Sequence, residues 1–311
     1  MEELVMRPRW TQENIPNQDK KTIIVTGGNT GLGFESVKMM SGKGATVVLA
    51  CRNTDKGEVA RERIANENPA VRIEVMKLDL ADLRSIRDFA TNFTDRFDRL
   101  DVLLNNAGVM MCPYGKTTDG FETQLGTNHL GHFALTGLLF GILKSTKNSR
   151  VVNISSIAHR FGRMNFGNLM FEDGGYTPMK AYGRSKLANL LFTYELCRRL
   201  GDNASGTKAV VAHPGLSNTE LDRHILKNRV LRFIRPVFGL ASQSAAMGAL
   251  AGIRACVDPN ASNGDYYGPR GIGGTKGYPK KVSSNRRSHN ESDSKKLWEM
   301  SEDLTGVSFP Y

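Results

Sequence analysis

The chain has 311 residues, 40% hydrophobic and 23% charged, a balance that excludes disordered and fibrous classes and is enough for a sizeable core. Its formal net charge of +11 raises nucleic acid, an anionic membrane or a phosphorylated ligand as partners. Much of that charge is local. Lys276, Lys280, Lys281, Arg286, Arg287, Lys295 and Lys296 sit in a tail of Ser and Asn almost free of aromatics, so the tail reads as solvated surface and no nucleic-acid partner is expected. The 4 cysteines are widely spaced without a CxxC pair, the polar start has no signal-peptide core, and no apolar run reaches the roughly 18 residues that cross a bilayer. A cytoplasmic protein with no transmembrane segment is the expectation.

In chain order, residues 1–20 read as an exposed arm. Short β-branched runs then alternate with helical patterns: Thr22 to Thr26, Thr46 to Cys51, Arg72 to Leu78, Val102 to Asn105, Val151 to Ser155 and Lys208 to His213 predict strands. Amphipathic segments near 31–42, 54–68, 82–97, 119–147 and 180–200 predict the helices between them. Near-continuous apolar strands separated by helices imply an α/β fold, a doubly wound (Rossmann) parallel sheet of about seven strands with helices on both faces. Without a repeat or long linker, residues 21–275 form a single domain, and 276–311 an extension packed on or near the substrate pocket. Irregular insertions at 158–178, 214–240 and 258–291 fall where loops vary freely, at the carboxyl ends of the strands, and are candidate lids.

The first strand runs into Gly27-Gly-Asn29-Thr30-Gly31-Leu32-Gly33, where close backbone approach lets a pyrophosphate rest on the N–H groups of a helix start. The Gly-x-x-x-Gly-x-Gly spacing departs from the common dinucleotide fingerprint. A site selective for NAD usually ends its second strand in an acidic residue about 20 residues past the glycines. Here the strand ends in Arg52, which suits the 2′-phosphate of NADP(H). Tyr182-Gly-Arg-Ser-Lys186 sets a phenol and an ammonium one turn apart on a helix, after a strand that ends at Ser156. Phenols titrate near pH 10, and a neighbouring ammonium favours the phenolate, which brings proton transfer within reach of neutral pH.

Thr26-Gly-Gly-Asn-Thr-Gly-Leu-Gly33, Asn105-Asn-Ala-Gly108, Asn128, Ser156 and Tyr182-x-x-x-Lys186 together resemble the short-chain dehydrogenase/reductase family over about residues 20–270. Leu49-Ala-Cys-Arg52, Asn128-His-Leu-Gly-His-Phe133, Ser155-Ser-Ile-Ala-His159 and His213-Pro-Gly215 are most similar to its retinol dehydrogenase and WW-domain oxidoreductase branch. The resemblance implies Tyr182 as acid/base, Lys186 lowering its pKa, Ser156 bonding the substrate oxygen, and Asn128 holding a water that relays protons to Lys186. It also implies that Asp79 meets the adenine amino group, that Leu80, Asn105, Ala107, Gly108 and Ile154 line the cofactor, and that Pro214, Gly215, Leu216 and Thr219 hold the nicotinamide amide.

The function expected is therefore NADP(H)-dependent interconversion of a carbonyl and an alcohol. The alternative is a non-catalytic NADP(H)-binding sensor or interaction protein of the same fold; a sugar-nucleotide epimerase is disfavoured by the glycine spacing. Leu216, Leu221, Ile225, Phe233, Phe238, Phe161 and Met164 suggest apolar walls and a small lipophilic substrate. Residues 221–238 read as a substrate lid, with peripheral membrane contact through an interfacial helix as the second reading. His129, His132, His159 and His213 match no metal-ligand pattern and are expected to be packing residues, with no metal. The long helices near 119–147 and 180–200 resemble those that pair family members into a homodimer or homotetramer.

Overall fold

Every residue of strand β1 (Thr22–Thr26) is buried, as its unbroken apolar run requires of a strand covered on both faces. In the computed structural model, which describes residues 9–201, 205–217 and 242–310, it lies at the centre of one sheet. Its partners are β2 (Thr46–Cys51), β3 (Arg72–Lys77), β4 (Val102–Asn105), β5 (Arg150–Ile154), β6 (Lys208–Ala212), β7 (Tyr266–Pro269) and β8 (Pro279–Lys281). The order is β3-β2-β1-β4-β5-β6-β7-β8, parallel except for β8, which runs antiparallel to β7. The order reverses between β1 and β4, which opens a crevice at their carboxyl ends.

The sheet thus extends one strand beyond the seven of the sequence expectation. Residues 258–291 are correspondingly not an irregular lid: β7 and β8 lie within them, ending in Pro and Lys, residues that hide a strand pattern.

Among the described residues the helices are α1 (Gly31–Ser41), α2 (Thr54–Glu67), α3 (Leu83–Thr94), α4 (Thr123–Leu125), α5 (Gly131–Leu138), α6 (Phe140–Ser145), α7 (Pro178–Leu200), α8 (Ala245–Val257) and α9 (Glu291–Thr305). Side-chain alternation along the strands sorts them into two layers. Ile23, Val25, Val47 and Leu49 pack under Val37 of α1, Ile64 of α2 and Ile253 of α8. Ile24, Val48, Leu103 and Val151 pack under Phe89 of α3, Phe133 of α5 and Phe192 of α7. The segment 119–147 is not one helix. A π turn, Gly126–Leu130, joins α4 to α5, and Leu139 breaks α5 from α6.

Residues 276–311 contribute β8 and α9. Asn290 caps α9 by accepting from the Asp293 N–H, and Gly306 ends it in the left-handed conformation. Trp298 of α9 is 1% exposed, with its ring 5.1 Å from Phe133, 5.6 Å from Phe192 and 4.6 Å from Phe309. The extension is part of the main core. Replacing Trp298 with Ala is expected to cost about 3 kcal/mol or more in urea unfolding, with the transition still single; a loss below about 1 kcal/mol would show that α9 is an appendage.

Candidate active site

The described sequence-predicted site residues lie at or just past the carboxyl ends of successive strands, on the start of α1, in the turn before α5 that carries Asn128, or on the first turns of α7. Leu32 after β1, Asn106 after β4, Ile154 at the end of β5 and Pro214 after β6 line one small cavity of about 10 Å³, so four separate loops meet at the crevice where the strand order reverses.

The glycine turn is built for close approach. A β-carbon at Gly33 would fall 2.1 Å from the Gly27 carbonyl oxygen and 2.8 Å from Asn106 Nδ2, so the backbone at 33 lies directly on the turn. Thr30 is the N-cap of α1, yet its side chain makes no capping hydrogen bond. The first-turn N–H groups are therefore left to an anion, and the site fits a dinucleotide pyrophosphate. Arg52, just past β2, is exposed and makes no ion pair among the described residues. The Asp79 carboxylate accepts from the Ala81 N–H at 3.0 Å, which bends the chain after β3. Leu80 is buried.

The Asn105–Gly108 segment divides its labour. The Asn105 side chain turns into the core, where its Nδ2 donates to Asn153 Oδ1 at 2.9 Å and to Thr136 Oγ1 at 3.0 Å. It braces β4 against β5 rather than facing the crevice. Asn106 does face it: its Nδ2 donates to the Thr26 carbonyl at 2.8 Å. Thr26 itself is a junction. Its hydroxyl oxygen accepts from the backbone N–H groups of Asn106 and Ala107, each at 2.9 Å, and its proton goes to His132 Nε2, also at 2.9 Å. That direction is fixed because His132 Nδ1 donates to the Asn128 carbonyl at 3.0 Å, so the ring carries its proton there. Burial pulls His132 down to about 4, so it stays neutral at physiological pH.

Asn128 sits inside the π turn, a geometry frequent at functional sites. Its side-chain amide is fully used: Oδ1 accepts from the Val109 N–H at 2.8 Å, and Nδ2 donates to the Val109 carbonyl and to Ser185 Oγ, both at 2.9 Å. Ser185 stands between Tyr182 and Lys186 in sequence, so α7 is tied to the loop after β4 through this amide. Lys186 is 4% exposed and its Nζ donates to the Ile154 carbonyl at 3.0 Å. The Nζ lies 5.8 Å from the Tyr182 ring centre, and a β-carbon at Gly108 would be 3.5 Å from it. Ser156 Oγ accepts from the Ala158 N–H at 3.2 Å, which leaves its proton to donate elsewhere.

The insertion at 158–178 is a fixed wall rather than a lid. Arg184 donates to the carbonyls of Asn168 at 2.8 Å and Leu169 at 2.6 Å, and its guanidinium stacks 3.8 Å from the Phe171 ring centre. Met164 packs against the apolar cluster that includes Leu187 and Leu191, while Phe161 is 68% exposed. Leu216 is held from both sides, by its N–H to the Thr275 carbonyl at 2.7 Å and by the Gln243 N–H to its own carbonyl at 2.8 Å. Thr219, Leu221, Ile225, Phe233, Phe238 and the lid or interfacial helix at 221–238 lie outside the described residues.

Thr26, Asn106, His132, Arg184 and Ser185 were not singled out as site residues from sequence. Thr26 and Asn106 carried a signal, a polar residue closing an apolar strand beside a glycine turn. His132 stood inside the Asn128–Phe133 motif but read only as packing because its Thr26 partner is distant in sequence, and Arg184 carried no signal because its partners lie on another segment.

Residues 21–230 match the model of the short chain dehydrogenase family. Retinol dehydrogenase 11 of Homo sapiens is 42% identical over 289 residues, covering 92% of this chain and 86% of that protein. An uncharacterised protein from Mycobacterium paratuberculosis has a solved structure with a TM-score of 0.82 and 40% identity, covering 98% of this chain and 100% of that one. A short chain dehydrogenase from Shigella flexneri, solved in complex with NADP, has a TM-score of 0.62 at 20% identity over 80% of this chain and 97% of its own, a likeness of fold. Among the described residues no helix is long and apolar enough to cross a membrane.

Burial pulls the Lys186 ammonium down to about 8 from an ordinary 10.5. Between those values the unfolded chain binds this proton and the folded chain does not, so this group makes stability rise with pH across that window. Without cofactor, the stability of wild type relative to Lys186→Met is expected to increase by roughly 3 kcal/mol between about pH 8 and 10.5. A difference that stays flat across the window would contradict the burial of the charge.

Proposed function

Because the chain belongs to the short-chain dehydrogenase family, in its retinol dehydrogenase branch, we propose that it is an NADP(H)-dependent reductase or dehydrogenase of small lipophilic carbonyls and alcohols, with Tyr182 as the acid/base. Membership makes it an oxidoreductase of alcohol and carbonyl groups; the cofactor preference, the residue roles and the substrate class are the proposal. The observation that carries it is the buried Lys186 ammonium, held by the Ile154 carbonyl one helical turn from Tyr182 and beside Gly108.

The glycine turn from Gly27 to Gly33, with Asn29, Thr30, Gly31 and Leu32, holds the dinucleotide phosphates on the uncapped start of α1. Arg52 pairs with the 2′-phosphate, a reading supported by its exposure at the end of β2 and its lack of another ionic partner among the described residues. Asp79 and Leu80 border the adenine; Ala107, Gly108, Ile154, Pro214, Gly215, Leu216 and Thr219 border the nicotinamide. Asn105 reaches the cofactor through its backbone, since its side chain is spent inside the sheet. When bound, the nicotinamide supplies or accepts the hydride.

The protein's own work is the proton. Tyr182 donates it to the substrate oxygen in reduction and takes it back in oxidation, while the adjacent Lys186 charge stabilises the phenolate left behind. Ser156, with a proton to donate, bonds the oxygen as it becomes alkoxide-like. Asn128 acts by position: its amide locks Val109 to Ser185, and only its backbone carbonyl, already bonded to His132, remains to meet a water. The apolar Leu216 and Phe161 support a lipophilic substrate, and the names of the relatives direct the first trial to a retinoid aldehyde.

The test is NADPH oxidation against retinaldehyde, medium-chain aldehydes and apolar ketones. Tyr182→Phe is expected to lose at least a hundredfold in kcat with NADPH affinity within about threefold of wild type. Arg52→Ala is expected to raise the KM for NADPH about tenfold or more while leaving that for NADH unchanged. NADPH binding with no turnover on any member of the panel would favour the non-catalytic sensor of the same fold.

A further inference from the structure

On the sheet face that carries α7, the last three strands and the 3-10 turn Ile157–Phe161 enclose a cavity of about 410 Å³. His159, Arg160, His213, Tyr266, Lys280 and Val282 line it, and none of Asn128, Ser156, Tyr182 or Lys186 does. Strand register explains the convergence. Gly268 of β7 pairs with Lys280 of β8, and alternation puts Tyr266, Gly268 and Lys280 on one face. A β-carbon at Gly268 would fall 2.1 Å from His213 Nε2. Glycine is therefore required there, because the His213 imidazole lies across the β7 backbone in the row that Lys280 continues.

These groups have unspent hydrogen-bonding capacity. The Gly215 N–H donates to His213 Nδ1 at 3.3 Å, which puts the proton of the neutral ring on Nε2, where it meets no acceptor among the described residues. His159 Nδ1 bonds the Ser156 carbonyl at 2.6 Å, so its Nε2 is a bare nitrogen, buried without a partner in a residue 2% exposed. The Tyr266 hydroxyl is buried next to the Ser155 hydroxyl. Buried polar groups are nearly always satisfied, so the bare His159 nitrogen, with the undirected His213 N–H on the same cavity, calls for a ligand.

The charge around the cavity selects its sign. Arg160 and Lys280 make no ion pair among the described residues, and no Asp or Glu lines the cavity. Lys281 is engaged elsewhere, on Asp265 at 2.7 Å and the Asn260 carbonyl at 2.9 Å. Ile157, Pro269 and Val282 supply an apolar wall. The charges of Arg160 and Lys280 and the His213 N–H beside this wall suit an acidic group on a compact hydrocarbon body, while the bare His159 nitrogen, which can only accept, takes an O–H of the ligand or of a water next to it. We propose that this cavity is a second binding site, distinct from the alcohol/carbonyl site, for a small organic anion that carries a carboxylate or a phosphate ester. Its His159 contact with the Ser156 carbonyl places the ligand one residue from the hydroxyl of the main site.

The experiment titrates the full chain with phenyl phosphate, benzoate and benzyl alcohol at fixed ionic strength, with NADPH present to occupy dinucleotide phosphate sites. Heat and histidine ring-carbon NMR shifts are read. Saturable binding of either anion is expected, with the His159 and His213 resonances moving and benzyl alcohol inert. Tighter phenyl phosphate would assign a phosphate ester, tighter benzoate a carboxylate. Arg160→Ala and Lys280→Glu, both exposed positions, should each weaken binding about tenfold or more and leave NADPH affinity unchanged. No saturable binding of either anion, equal binding of benzyl alcohol, or unaltered affinity in both variants would overturn the proposal. No turnover is read, so the outcome is independent of the proposed catalytic function.

Discussion

One hydroxyl group, that of Thr26, holds the two halves of the crevice in register. It accepts the N–H groups of Asn106 and Ala107 and gives its proton to His132, whose other nitrogen donates to the Asn128 carbonyl. The chain of bonds works in only one direction, and only while His132 is neutral, since a doubly protonated ring would face the hydroxyl donor to donor. Burial secures that state. The end of β1, which starts the glycine turn, is thereby fixed to the π turn that bears Asn128. From Asn128 the link continues through Ser185 to the helix of Tyr182 and Lys186. The bonds through His132 and from Asn128 to Ser185 are buried, so losing one of them leaves an unsatisfied group worth about 1–3 kcal/mol.

The same economy governs the charge at the centre. An ammonium is costly to bury, and Lys186 is kept among polar atoms only at its tip, by the Ile154 carbonyl that ends β5. Asn189 donates to the same carbonyl at 3.0 Å, so the strand end is braced from two points on α7. Around this, rigid walls replace mobile ones. Arg184, a neighbour of Tyr182 on α7, reaches back to three carbonyls of the 158–178 segment and holds it against the helix. A site built on strand ends and a packed helix keeps its geometry better than one carried by loops.

The parallel, doubly wound sheet and its two helix layers were legible because β1, β2, β4 and β5 are near-continuous apolar runs with helical patterns between them. The motif residues were legible for the same reason, being short patterns in which chemistry fixes the spacing. What escaped was set by contacts between distant segments. β8 begins in Pro279 and is stabilised by pairing with β7, not by its own composition. The helix expected over 119–147 contains a π turn that serves the Asn128 geometry, and hydrophobic periodicity cannot register one inserted residue. In Asn105-Asn106 two identical side chains on successive residues point to opposite sides, and sequence alone did not say which faces the crevice. The basic tail read as solvated surface, yet it contains β8 and leads directly into the aromatic block around Trp298.

The claim on which the account rests is that the glycine turn and the Tyr182–Lys186 pair serve one reaction at one edge of the sheet. The most direct measurement is to supply NADPH with both C4 hydrogens replaced by deuterium, together with an apolar aldehyde, and to locate the label in the product by mass spectrometry and NMR. The account predicts one deuterium on the carbinol carbon, with the hydroxyl proton drawn from solvent. An alcohol whose carbinol hydrogen comes from water, or intact deuterated NADPH bound beside unchanged aldehyde across a broad apolar panel, would contradict it.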